Sequence, residues 1–275
     1  MSDIGSQIIE KAREMGATLA GIASVETLKK SPSNKMLQNV GTLIDGVYPL
    51  PNAEGFQGIN WPEAVTSALV IALSHPEDRP ELDWFDAKGG TPGNRTLVRI
   101  NREMSEWIEK TFGIKTHKMK YQIEDNGIHL KDAAVLAGLG CLGRNNILIT
   151  KEFGPRVRLR GMLLEAELTP TGPVSFDPCD GCEEYCRQAC PQNAFEKRVH
   201  SSAEVGVADL PGRDGNYSRS RCMIQMMQDT VDSGAEITDE SMSFVDTEEE
   251  SKPDKLIKWC RLCEFSCPVG NQSQV

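Results

Sequence analysis

Ile4, Ile8, Ile9, Ala12 and Met15 recur at helical spacing and Gly16 stops the run, which predicts an opening helix. Thr18 to Ala23 reads as a short strand behind it. Ser67 to Leu73 is continuously apolar and bounded by Pro62 and Pro76, the pattern of a buried strand. Leu97, Ile100, Met104, Trp107, Ile108 and Phe112 mark one face of a second good helix. Lys115 to Tyr121 is predicted as a strand, and His129 to Leu139 as a third helix that runs into glycines. Asn146 to Thr150 and Val157 to Leu168 follow as strands, with Gly154-Pro155 between them. Residues 76–95 are rich in proline and glycine and are expected to form a surface loop. The expected fold class for the first 170 residues is therefore mixed α/β (α+β).

From residue 171 the pattern changes. Thr171-Gly172-Pro173 and Asp177-Pro178 lead into a cysteine-rich region. None of the nine cysteines lies in residues 1–140, Cys141 stands alone, and eight fall between 179 and 267. This asymmetry divides the chain into 1–170 and 171–275. At 275 residues the chain is long enough to bury a core, so cysteines are not required as staples for a miniature fold. The N-terminus shows no export signal, and the apolar stretches Ala68–Leu73 and Ala133–Leu142 are too short to span a bilayer. No membrane span and a cytoplasmic location are expected, where cysteine more often serves metal or redox chemistry than disulfides.

Charge narrows the partners. Forty acids against 30 bases give −10, which argues against binding nucleic-acid phosphates. Nine of those acids lie in 229–250, a segment with no Lys or Arg. It is expected to be an acidic insert, either a solvated surface excursion or a docking patch for a basic partner.

The cysteines carry the chemistry. The first run is Cys179-x2-Cys182-x3-Cys186-x3-Cys190-Pro191, followed by Cys222 and then by Cys260-x2-Cys263-x3-Cys267-Pro268. Four thiolates are the ligand demand of one [4Fe–4S] cluster, and soft sulfur suits iron. In two-cluster ferredoxins the last cysteine of each run crosses to the other cluster. Applied here, Cys179, Cys182 and Cys186 are completed by Cys267, while Cys260 and Cys263 take Cys190 and Cys222. Two [4Fe–4S] clusters are expected. Structural zinc is the alternative, since Cys-x2-Cys pairs also suit it. Cys141 is left over, either as a buried inert residue or as a reactive thiol.

Gly138-x-Gly140-x-x-Gly143 imitates a dinucleotide fingerprint, but it follows a predicted helix and precedes a strand, the reverse of what that site requires. It reads instead as a loop where backbone approaches a ligand or another stretch of chain closely. Arg144 follows, then Arg156, Arg158 and Arg160, whose alternation places them on one strand face. They either line an anionic pocket or form a solvated face.

The stretch from His129 through Ala137-Gly-Leu-Gly-Cys-Leu-Gly-Arg144 to Ile147-Leu-Ile-Thr150, with Phe153-Gly-Pro-Arg-Val-Arg158 behind it, resembles the epoxyqueuosine reductase family. The double-cluster run at 179–268 follows it in the same order as in that family, and the reductive dehalogenases share this architecture. Two positions depart from the family pattern: Cys141 stands where the family has tryptophan, and Arg144 where it has lysine. The resemblance implies a nitroreductase-like core binding cobalamin, with a C-terminal ferredoxin-like two-cluster module feeding it electrons. It places Gly138, Gly140, Cys141, Gly143, Arg144, Arg156 and Arg158 around the cofactor. The family's catalytic aspartate falls in the segment before the helix, where Glu124 and Asp125 both compete for the match and His129 is a further proton donor. The helical-repeat extension of the tRNA-acting enzymes is absent, so tRNA is not the expected substrate.

The function expected is an iron–sulfur oxidoreductase passing electrons to a corrinoid, or directly to a small substrate. The rival is a non-catalytic electron carrier or a reductive activator of a partner's corrinoid. A ferredoxin or flavodoxin is the expected electron donor.

Overall fold

The opening helix, α1 (Ile4–Glu14), begins where the Asp3 carboxylate accepts the Ser6 backbone N–H at 2.9 Å, a side-chain cap for an otherwise unpaired donor. The computed structural model describes residues 3–40, 58–86, 90–123, 125–236, 248 and 255–270. Strand β1 (Leu19–Ser24), the short helices α2 (Val25–Lys29) and α3 (Pro32–Val40), and strand β2 (Ser67–Ser74) follow. Then come α4 (Pro92–Phe112), β3 (Thr116–Lys118), α5 (Leu130–Leu136), β4 (Cys141–Leu142), β5 (Leu148–Ile149) and β6 (Val157–Leu164).

Four strands form one antiparallel sheet in the order β1-β2-β6-β3. β2 and β6 pair along their whole length, from Ser67 opposite Leu164 to Ser74 opposite Val157. Successive side chains of a strand point to opposite faces. Ala68, Val70 and Ala72 of β2 therefore join Leu159 and Leu163 against α5. Leu69 and Ile71 join Met162 and Leu164 against α1 and α4. A helical layer on each face explains why the β2 run is continuously apolar rather than alternating.

Three expectations change at their edges. Residues 76–95 are not a surface loop. They hold a 3-10 turn at Pro80–Asp83 and the first turn of α4, capped by Thr91, and Asp83, Phe85 and Asp86 are buried. Phe85 pairs its backbone with Ile257 and stacks on Trp259 at 4.6 Å, so this segment receives the C-terminal cysteine run. The predicted strand at 115–121 leaves the sheet after Lys118, and Lys120 bridges to Gly127 instead. The strand predicted to Leu168 ends at Leu164.

After β6 the described residues hold short helices joined by turns: α6 (Tyr185–Gln188), α7 (Ser202–Val205), α8 (Arg219–Ser233) and α9 (Leu262–Phe265). Of the acidic insert, 229–233 end α8, and Glu248 pairs with Arg102 at 2.7 Å. Residues 237–247, 249 and 250 lie outside the described residues. No described helix is long and apolar enough to cross a membrane.

Candidate redox site

Turns place the first run. Cys179 donates its N–H to Asp177 at 3.0 Å, Gly181 takes a left-handed φ of 69°, and α6 then carries Cys186. The Cys190 sulfur accepts the Ala194 N–H at 3.3 Å. In the second run the Cys260 N–H donates to Asp229 of α8 at 2.7 Å, and α9 carries Cys263.

These turns bring four of the eight cysteines to one pocket and set the other four near one another. Cys179, Cys182, Cys186 and Cys267 line one pocket, together with Arg144, Asn145, Ile149, Tyr185 and Val269. Cys190 and Cys222 pack against Ala194, Phe195 and Tyr217. Burial raises the Cys260 thiol pKa, and Asp229, Cys222 and Cys190 add to the rise. Burial likewise pushes Cys263 well up, with Glu264, Cys222, Cys260 and Cys186 of the first pocket behind it.

All nine thiols are free and half-buried. Burial raises Cys186 to about 11, so a metal taken up here has to expel protons from the thiols it meets. Among the described residues no three cysteine sulfurs lie within 4.8 Å of one another. Four thiolates on one zinc at 2.3 Å would stand about 3.8 Å apart. As they stand, the sulfurs are not drawn together as one zinc ion would hold them.

Arginines surround the first pocket. Arg144 pairs with Glu184. Arg187 donates to both oxygens of Asp214 at 2.7 and 2.9 Å. Arg213 holds Asp177 at 2.7 Å and reaches the Cys141 sulfur at 3.4 Å. Cys141 stands in β4, belongs to neither foursome, and is raised to about 11 by burial against the opposing pull of Arg213.

Of the three β6-region arginines, Arg156 donates to the carbonyls of Glu264, Cys267 and Val269. Arg158 holds Asp83 at 2.8 and 2.5 Å and Glu264 at 3.3 Å. Arg160 is buried and donates to Asn94 of α4 at 2.8 Å.

Sequence reasoning missed a buried knot behind the second run. Arg261 holds Asp83 at 3.0 Å and Glu264 at 2.9 Å and contacts His75. Atoms of His75, Asp83 and Glu264 lie within 4.8 Å of one another. Two guanidiniums already occupy the two carboxylates, so the knot is an ion-pair network rather than a cation site. Burial, reinforced by Arg158, holds His75 down to about 2, hence neutral. The only signal in the sequence was acids and arginines in segments that otherwise look like loops.

Asp125 is exposed on a tight turn closed by the Gly127 N–H on the Gln122 carbonyl at 2.8 Å. Glu124 lies outside the described residues. His129 caps α5, is 5% exposed, and its Nε2 has no hydrogen-bond partner. Burial lowers its pKa to about 4, so it is neutral near pH 7. Among the described residues no hydrogen bond joins Asp125 to His129.

The glycines meet the chain itself. A Cβ on Gly140 would stand 2.0 Å from the Ile149 carbonyl oxygen, one on Gly138 2.7 Å from that of Thr171, and one on Gly143 2.7 Å from the Ile149 side chain. Their missing side chains are accounted for by the close β4–β5 hairpin and by residue 171.

No family model matches the chain. A tetrachloroethene reductive dehalogenase of Desulfitobacterium hafniense is 43% identical over 240 residues, covering 75% of this chain and 42% of that protein. An epoxyqueuosine reductase of Lactococcus garvieae is 25% identical over 219 residues, 76% of this chain and 53% of that protein. The chain is a homologue of these reductases. It spans about half or less of the length of these two curated relatives. An epoxyqueuosine reductase solved with an epoxyqueuosine-modified tRNA stem loop superposes with a TM-score of 0.61 at 20% identity, covering 97% of this chain and 65% of that one. The fold is thus that of the epoxyqueuosine reductase structures, and the reductase resemblance read from residues 129–158 is borne out.

Proposed function

We propose that the protein is an iron–sulfur reductase. Cys179, Cys182, Cys186 and Cys267 would hold one [4Fe–4S] cluster, and Cys190, Cys222, Cys260 and Cys263 the other. The observation that carries this reading is Cys267. It comes from the second run, yet lines the pocket of the first. Such clusters supply one-electron transfer at potentials tuned by charge, hydrogen bonding and burial.

The chain's own share is to bind, orient and shield. Asp177 and Arg213 brace the Cys179 turn, and Asp229 ties α8 to Cys260. On this reading residues 171–275 are the ferredoxin-like two-cluster module and 1–170 the nitroreductase-like body. A ferredoxin or flavodoxin is the donor, and a corrinoid or a small molecule the acceptor. Asp125, exposed at its turn, is the proposed proton source at the body. Buried neutral His129 is the weaker choice for that role.

The glycines themselves do not argue for a corrinoid, because the space a side chain at Gly138 or Gly140 would take is filled by the Thr171 and Ile149 backbone. No step is derived through a corrinoid at these residues. The relative solved with tRNA does not bring tRNA into the proposal, since the net charge of −10 works against a polyanion.

Anaerobic reconstitution with iron and sulfide, followed by metal analysis and EPR, tests the reading. About eight irons and eight acid-labile sulfides per chain are expected. Bound zinc without sulfide would overturn it.

A further inference from the structure

Arg156 stands out among the arginines of the cysteine region. It is 3% exposed, and its backbone carbonyl accepts the His75 N–H at 3.0 Å, which fixes it to the end of β2. Its guanidinium donates to three backbone carbonyls: Glu264 at 2.8 Å, Cys267 at 3.3 Å and Val269 at 2.5 Å. Those three residues bracket the Cys267-Pro268 turn that closes the first pocket.

Every other arginine at that pocket has a carboxylate in contact. Arg144 has Glu184, Arg187 has Asp214, and Arg213 has Asp177. Arg158 and Arg261, one layer behind, share Asp83 and Glu264. Among the described residues no carboxylate forms an ion pair with Arg156. Burying a charge with no carboxylate in direct contact is costly; Glu77 and Glu264 act on it only from beyond ion-pair distance, and three oriented carbonyls repay only part of that cost.

The compensating negative charge is next door. The Arg156 guanidinium donates to the Cys267 carbonyl at 3.3 Å, which sets it beside a cysteine that lines the first pocket. Four thiolates around an iron–sulfur cube leave a net negative site whose charge grows by one on reduction. A fixed buried cation beside that site stabilises the reduced form most, because the interior screens it weakly.

Resting on the iron–sulfur reading above, we propose that Arg156 is the positioning residue of the first cluster site. It holds the Cys267 turn in register through carbonyls, and its unpaired positive charge raises the reduction potential of the cluster bound there. The anion for which this arginine was singled out in the sequence is then not a substrate but the cluster.

The test is a redox titration of the reconstituted full chain, followed by EPR, for the wild type, R156K and R156Q. Iron and sulfide are counted first. The step belonging to the first site is identified by its loss in Cys182→Ala.

R156Q is expected to shift that step down by at least tenfold in the reduction equilibrium, about 59 mV for one electron, leaving the second step in place. R156K keeps the charge and is expected to stay within about threefold of the wild type, with a lower yield of the first cluster because the compact Lys ammonium does not reproduce the planar fork that spans the three carbonyls. A wild-type potential in fully loaded R156Q overturns the proposal. So does an equal fall of both steps. If R156Q fails to load its first site, R156K decides: retention of the wild-type potential supports the charge role, and a tenfold fall overturns it. A wild type that takes up no iron sinks the iron–sulfur reading itself, an outcome distinct from all of these.

Discussion

Asp83→Asn is the most direct probe of how the cysteine region is joined to the sheet. The Asp83 oxygens receive Arg158 at 2.8 and 2.5 Å and Arg261 at 3.0 Å, in a setting where Asp83 is 9% exposed. Asparagine keeps the shape and removes the charge, leaving two guanidiniums to share Glu264. Breaking one side of a buried ion pair costs about 3–5 kcal/mol, most of it the penalty of the charge left behind. For a chain of this size each kcal/mol moves the melting temperature by about 2–4 °C, so a fall of about 10 °C is expected.

The assay is thermal unfolding under anaerobic conditions at matched iron content, because cofactor loss would otherwise blur the transition. Glu26→Gln, which removes an exposed partner of Lys30, serves as the control and should leave the melting temperature unchanged. A D83N melting point within about 2 °C of wild type would show that the knot is not a joint and refute the reasoning.

Other expectations follow from the same geometry. His129 is neutral in the fold with a pKa near 4, while an unfolded histidine titrates near 6.5. Below pH 6.5 the unfolded chain therefore binds a proton that the folded chain refuses. Its contribution is complete above 6.5 and lost as pH falls, by about 1.4 kcal/mol per unit and about 3 kcal/mol in all by pH 4. Urea titrations from pH 7 to 4.5 should show a shallower loss in His129→Gln, and an unchanged slope would contradict the assignment. Gly140→Ala should cost more than about 3 kcal/mol or prevent folding, since its Cβ would sit 2.0 Å from the Ile149 oxygen; expression and circular dichroism would read this out. Cys222→Ser should cut iron from about eight to about four per chain, whereas Cys141→Ser should leave it at about eight. Equal iron in both variants would undo the partition into two foursomes.

What the sequence disclosed and what it hid follow from how local each signal was. The β2 run was legible because a strand covered on both faces must be apolar at every position, as Ala68 to Leu73 are. The long helix was legible from its stripe, although its start at Pro92 was not, since Thr91 caps a first turn that precedes Leu97, the first residue of the stripe. Residues 76–95 misled because Asp83 is buried by partners far away in the chain, Arg158 and Arg261, while Asp86 is buried against Arg95 of α4. The alternation of Arg158 and Arg160 correctly placed them on one face, but no local pattern could show that the face is roofed by α4 and the 80–86 segment. The partition into two foursomes came from cysteine spacing and the ferredoxin rule; Cys179, Cys182, Cys186 and Cys267 do line one pocket, a neighbourhood that spacing within either run could not show by itself.

That shared pocket also bears on how the chain is assembled. Tying Cys179 to Cys267 through one metal group would close a loop of about 90 residues, which on the chain-entropy account of a covalent cross-link withdraws about 4–5 kcal/mol of freedom from the unfolded ensemble. Such a closure could not form until synthesis had passed residue 267, so on that reading the first half of the cysteine region would wait, with three thiols reduced and unclaimed, for its fourth. On the iron–sulfur reading proposed above, iron delivery would be a late and order-dependent event, and oxidation during translation would be most damaging in the interval between the two runs.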